Sequence, residues 1–105
     1  MSDSNKEKAA LRLVGLAKAG GNVKSGETGV LEAIRDGSAE LVIIATDASE
    51  GTSKKFKDKS SYYEVPVLVF ATKESLAHSI GRDYVAVVAV TERGLAGKIT
   101  EIIEK

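Results

Sequence analysis

Five consecutive apolar residues, Leu41-Val42-Ile43-Ile44-Ala45, constrain this chain more than any other feature. Side chains on a strand alternate between its two faces, so a run without a polar residue must be buried on both. A strand covered by helices on either side meets that demand. The run therefore predicts an inner strand of a helix-flanked sheet.

The rest of the pattern supplies helices at the spacing needed to cover such a strand. Lys8 to Ala19 carries Ala10, Leu13, Val14 and Ala17 on one helical face, and Gly20-Gly21 ends it. A short extended piece over Asn22 to Lys24 leads to Ser25, a residue suited to capping. Glu27 then falls in the first turn of a second helix, Val30, Leu31 and Ile34 form its buried stripe, and Gly37 closes it. After the central run, Asp47 and Ser49 offer cap chemistry to a third helix. In it Phe56, Ser60 and Tyr63 share a face, while Lys54, Lys55, Lys57 and Lys59 are solvated; Pro66 marks its end. Val67 to Phe70 predicts a strand, Lys73 to Ile80 a short helix stopped by Gly81, Tyr84 to Val90 a strand, and Glu92 to Glu104 a closing helix after Thr91. The order α-β-α-β-α-β-α-β-α specifies an α/β chain, a three-layer αβα sandwich around a small central mixed sheet.

Length and composition bound what this sandwich can be. With 105 residues, 43% of them apolar, the chain can close one sizeable core, so a single domain over 1–105 is expected, with the polar residues 1–7 disordered. It has no cysteine, which removes disulfides and thiolate metal sites, and no basic segment followed by an apolar one in the manner of a signal peptide. A cytoplasmic protein is the expectation. The longest apolar stretches fall far short of the ~20 residues that cross a bilayer, so no membrane partner is expected. Fifteen basic and fifteen acidic residues leave zero net charge, and any binding of nucleic acid must come from a local patch.

Patterns that carry chemistry are few. Gly21-Asn22-Val23-Lys24-Ser25-Gly26-Glu27-Thr28 has the glycine spacing of a phosphate-binding P-loop, with Thr28 at the hydroxyl position. Glu27 stands where that motif needs lysine, and a carboxylate repels the phosphates that lysine would neutralise. His78 is the sole histidine, with no cysteine or second histidine to share a metal. No serine lies in a Gly-x-Ser-x-Gly elbow. Asp47, at the end of the central run, reads as a helix cap before it reads as a ligand. The expectation is a non-enzyme with no catalytic residues, no metal and no cofactor.

Several segments occur in a recognisable order. They are Lys24-Ser25-Gly26-Glu27, Ala33-Ile34-Arg35-Asp36-Gly37, Leu41 to Ser49, Tyr62-Tyr63-Glu64-Val65-Pro66-Val67, Ser79-Ile80-Gly81 and Val87-Val88-Ala89-Val90-Thr91. In that order and spacing the chain resembles the ribosomal protein L7Ae family, and its short bacterial branch in particular, from about Leu13 to Ile99. The resemblance implies the same sandwich. It also implies binding to RNA kink-turns, sharply bent helices with tandem sheared G·A pairs, on or around the ribosome. In that family the N-terminus of the second helix enters the groove at the kink, and the loop before the last strand covers an unstacked nucleotide.

Carried over residue by residue, the resemblance matches Gly26 to the helix-opening glycine, Lys24 to a basic position just before it, and Gly81, Arg82, Asp83, Tyr84 and Val85 to the second RNA-contacting loop. Strong binders of the family carry Asn-Glu in the helix and a lysine three residues after the Glu. Here those places hold Thr28, Gly29 and Glu32. Glu27 opens the same turn. The RNA contacts the resemblance leaves in place are the backbone from Gly26 to Gly29, Lys24, Thr28, Arg35, Lys73 and Arg82. The expected partners are structured RNA and ribosomal or RNA-associated proteins, with the chain itself a monomer; the alternative is a protein-interaction module that keeps the fold without tight kink-turn binding.

Overall fold

The computed structural model describes residues 3–105. The apolar run forms β2 (Leu41–Ile44), every residue of it buried. It lies between β4 (Val87–Val90), antiparallel to it, and β3 (Val67–Val69), parallel to it. β1 (Val23–Ser25) pairs antiparallel with the outer side of β4, giving a four-stranded mixed sheet in the order β1-β4-β2-β3. Register sorts the side chains into two cores. Leu41 and Ile43 of β2 join Val90 and Val88, their partners on β4, under α1 (Asp3–Ala19), α4 (Lys73–Ser79) and α5 (Arg93–Glu104). Val42 and Ile44 join Ala89 and Val87 under α2 (Gly26–Arg35) and α3 (Glu50–Tyr62). This is the expected three-layer sandwich, and the helices bury most of the expected stripes, Ala10, Val14 and Ala17 on α1 and Val30 and Ile34 on α2, with Leu13 and Leu31 partly buried beside them.

The structure differs from the sequence pattern at several element ends. α1 begins at Asp3 and not at Lys8, because its first turns are tied to other elements: Glu7 accepts from the Ala71 N–H at 3.0 Å, and Lys6 Nζ donates to the Lys105 carbonyl. Of the polar start expected to be disordered, only residues 1–2 lie outside the described residues. α3 stops at Tyr62, four residues before Pro66, where Glu64 takes a left-handed φ of 57° and the Val65 N–H turns back to the Ser60 carbonyl at 2.8 Å. Tyr63 thus falls beyond the helix and is half-exposed, while Phe56 and Ser60 hold the buried face. β4 starts at Val87, three residues after the predicted Tyr84, whose ring is exposed and enters neither core. One cap is also reassigned. Ser49 alone caps α3, accepting from the Thr52 N–H at 3.2 Å, whereas Asp47 Oδ1 accepts from Lys73 N–H at 2.8 Å and serves α4. Among the described residues no helix is long and apolar enough to cross a membrane.

Candidate functional site

Ser25 pairs with Val88, Ile44 with Val87, and Ile44 again with Val69. The ends of β1, β2 and β3 therefore lie at one edge of the sheet together with the beginning of β4. Four connections meet there: the entry to α2 at Gly26, the turn Thr46-Asp47 into α3, the junction Ala71-Thr72 into α4, and the loop 81–86 before β4. Most of the residues singled out in the sequence, which run from Lys24 to Val85, are brought to this edge by topology alone.

The α2 entrance is open. Ser25 has the extended backbone of a cap residue, but its side chain makes no capping hydrogen bond. Gly26 turns the chain with φ 81°, a conformation that favours glycine because a Cβ there crowds the backbone. The first turn of any helix leaves its N–H groups without intrahelical partners, and here Ser25 does not supply one. The positive end of the helix dipole points the same way. Glu27 would offset it, yet its carboxylate is drawn sideways onto α3, with Oε1 3.4 Å from Lys55 Nζ and Oε2 3.5 Å from Thr52 Oγ1. Both partners of this pair are about half-exposed, so it contributes at most about 1 kcal/mol, and its effect is chiefly to direct the charge. Thr28 is exposed, and the Lys24 stem runs beside the turn: a Cβ on Gly29 would stand 3.8 Å from Lys24 Cβ.

Across the edge, Lys73 opens α4 and its Nζ sits 4.8 Å from the centroid of the Tyr84 ring, a cation–π distance. Gly81, φ 71°, ends α4, and the Arg82 N–H folds back to the Ala77 carbonyl at 2.9 Å. Arg82, Asp83 and Tyr84 are exposed. Val85 is buried in the core under α1 and α5, so within the loop it is the anchor. Two predicted residues do not come to the edge. Glu32 is exposed one turn further along α2, and Arg35 occupies its last turn, about 13 Å from Gly26 at the helical rise.

The remaining sequence candidates resolve into structural roles or solvent. The P-loop likeness follows helix α1 in place of a strand and has the three-residue β1 within it, and Glu27 is engaged by Lys55. Among the described residues no group of three or more histidines and carboxylates could hold a metal ion. His78 is exposed on α4 beside a groove of about 880 Å³ between α1 and α4, which shares no residue with the predicted set. Among the described residues two carboxyls are held below their ordinary range, and both sit at helix caps. Ser38 hydrogen bonds lower Asp36, and the Leu95 and then Gly94 N–H groups lower Glu92 at the start of α5. What sequence reasoning missed at the edge is Asp47 as a partner of Lys73, and Thr46 and Glu7 as partners of Ala71. Asp47 was visible as a cap, but nothing local says which helix it serves.

The geometry can be set beside known proteins. The model of the Ribosomal protein L7Ae/L30e/S12e/Gadd45 family matches residues 8–100. Over 104 residues, 99% of each chain, the sequence is 40% identical to the RNA-binding protein YlxQ of Enterococcus faecium. It is 41% identical over 92 residues to the RNA-binding protein YlxQ of Bacillus subtilis (strain 168), covering 88% of this chain and 92% of that one. Among solved structures, a protein with unknown function from Bacillus halodurans C is similar with a TM-score of 0.88 and 33% identity, over 91% of this chain and 97% of that one. The Giardia lamblia 15.5kD RNA binding protein shares the fold, with a TM-score of 0.77 at 23% identity over 99% of this chain and 87% of its own.

Proposed function

The chain belongs to the Ribosomal protein L7Ae/L30e/S12e/Gadd45 family, and from that premise we propose that it is a non-catalytic, cytoplasmic RNA-binding protein that reads a kink-turn-type RNA on or around the ribosome. The observation that carries the reading is the open α2 entrance lying at the same sheet edge as Lys73, Arg82 and Tyr84. A helix N-terminus offers N–H donors and partial positive charge to phosphates and to guanine acceptors, and an exposed aromatic on a neighbouring loop suits an unstacked base. In this reading the backbone from Gly26 to Gly29, Lys24 and Thr28 enter the bend. Lys73 and the loop from Gly81 to Val85 cover the other side, and Arg35 is reached only by a flanking arm of the RNA.

Gly29 and Glu32 set the strength of that binding. At positions where strong binders of the family hold Glu and Lys, one offers no side chain and the other an exposed carboxylate. Each lost charge-assisted bond removes about 1.5–3 kcal/mol, so two of them weaken binding by roughly two to four powers of ten relative to such a binder. The same observation favours a second reading, a protein-interaction module built on the family scaffold. Calorimetric titration with a kink-turn RNA and with a straight duplex of equal length separates the two. Salt-sensitive binding to the bent RNA alone is the expected result, and equal or absent binding to both favours the second reading.

A further inference from the structure

The junction that carries the chain from β3 into α4 is more tightly held than a connection requires. Ala71 adopts φ 67°, a left-handed conformation that an alanine takes only under external constraint, and it is 1% exposed. Both of its peptide groups are fixed by other elements. Its N–H donates to Glu7 Oε1 of α1 at 3.0 Å, while its carbonyl accepts from the Thr46 N–H at 2.7 Å and from Thr46 Oγ1 at 3.0 Å. Two residues later the next residue of that turn, Asp47, accepts from the Lys73 N–H at 2.8 Å. The stem of Lys73 thus leaves from a point pinned to the β2–α3 turn, and its ammonium lies over the Tyr84 ring. Tyr84 is 66% exposed, yet it stands between Lys73 and Val85, whose side chain is rooted in the core.

We propose that Glu7, Thr46 and Asp47 are positioning residues: Glu7 and Thr46 hold Ala71 in its strained turn and Asp47 holds the Lys73 N–H, so that Lys73 and Tyr84 form one rigid pair at the sheet edge. The proposal rests on the reading of that edge as the RNA-binding surface. Glycine at position 71 would make the same turn unaided. With alanine, the turn depends on contacts reaching from α1 and from the β2–α3 turn. Side chains remote from any ligand then determine whether the pair is preorganised, and preorganisation lowers the ordering cost of binding.

Two readouts test it, one independent of RNA. Tyr84 should shift the Lys73 ε-methylene protons upfield by its ring current in the free protein. Asp47→Ala and Glu7→Ala are expected to abolish that shift and to weaken kink-turn RNA binding on the order of tenfold, the low end for loss of one hydrogen bond to a charged group. Asp47→Asn and Glu7→Gln, which keep the acceptor oxygens, should retain both, and Ala71→Gly should restore the shift to Glu7→Ala. In a Tyr84→Leu background the effect of Asp47→Ala on affinity should vanish, because the two act as one unit. The proposal is overturned if the alanine variants keep the shift and the affinity while Tyr84→Leu weakens binding. If Lys73→Met and Tyr84→Leu also leave RNA affinity unchanged, the edge is not an RNA surface and the positioning role falls with it. The glutamine and asparagine variants separate these outcomes from misfolding.

Discussion

Two glycines three residues apart divide the work of the α2 entrance. Beyond its chain neighbours Gly26 has open space where a Cβ would stand, so no packing contact forbids a side chain, but the local backbone at φ 81° does. Gly29 is helical, and a Cβ there meets Lys24 Cβ at an ordinary 3.8 Å. Alanine should therefore have opposite effects: Gly26→Ala destabilises by about 1–2 kcal/mol through the left-handed penalty, and Gly29→Ala stabilises by up to about 1 kcal/mol. Urea unfolding reads both, and a neutral Gly26→Ala would show that the left-handed turn is not required. That Gly26 opens a helix was legible from the run Ser25-Gly26-Glu27 alone. That Ser25 would leave its cap position unused was not, since residue type gives the capacity to bond and not the geometry.

At the level of elements, what was legible is what is local. The run at β2, the stripes of α1 and α2 and the order of all nine elements follow from periodicity, which neighbouring residues determine. Illegible were the bonds that cross the chain, such as Glu7 to Ala71 or Asp47 to Lys73, because pairing over 64 and 26 residues leaves no local signal. The cap of α5 shows how such an element responds to acid. Glu92 is held below its ordinary 4.5 by the Leu95 and Gly94 N–H groups, so its ionised form stabilises the fold above that value and the contribution is lost as pH falls through the lower folded one. Glu92→Ala should melt below the parent near neutral pH, with a gap that narrows below pH 4.5; a gap constant through acid would exclude a role for the charge. The α2 helix offers a gain in place of a loss. Thr28→Asn, Gly29→Glu and Glu32→Lys together should raise kink-turn affinity, since Asn and Glu can bond the edges of sheared G·A pairs and Lys replaces a repulsive carboxylate. Gly29→Ala shares the helix stabilisation without the chemistry, so equal RNA binding by the two variants would exclude α2 from recognition.

Over the whole molecule, zero net charge makes the placement of cations decisive. A strongly basic protein attracts any phosphate backbone, and bent and straight RNA alike; here no global field exists to do so. Acids meet three of the lysines outside the edge, Lys54 with Asp58, Lys55 with Glu27 and Lys105 with Glu101. Lys24, Lys73 and Arg82 take part in no such ion pair among the described residues, and they flank one sheet edge. Three neutralised phosphates at about 0.9 ions each give a salt slope near −3 in log K against log salt, shallow beside that of large nucleic-acid binders. Lys24→Glu or Arg82→Glu should reduce the slope by about one each and weaken binding at low salt, where each loses a phosphate neutraliser. Lys57→Ala, on the solvated face of α3, should change neither. A slope much steeper than −3, or one that Lys57→Ala lowers as far as Lys24→Glu does, would mean that RNA tracks the lysines of α3 and that the edge built by Gly26, Lys73 and Arg82 is not where the charge is used.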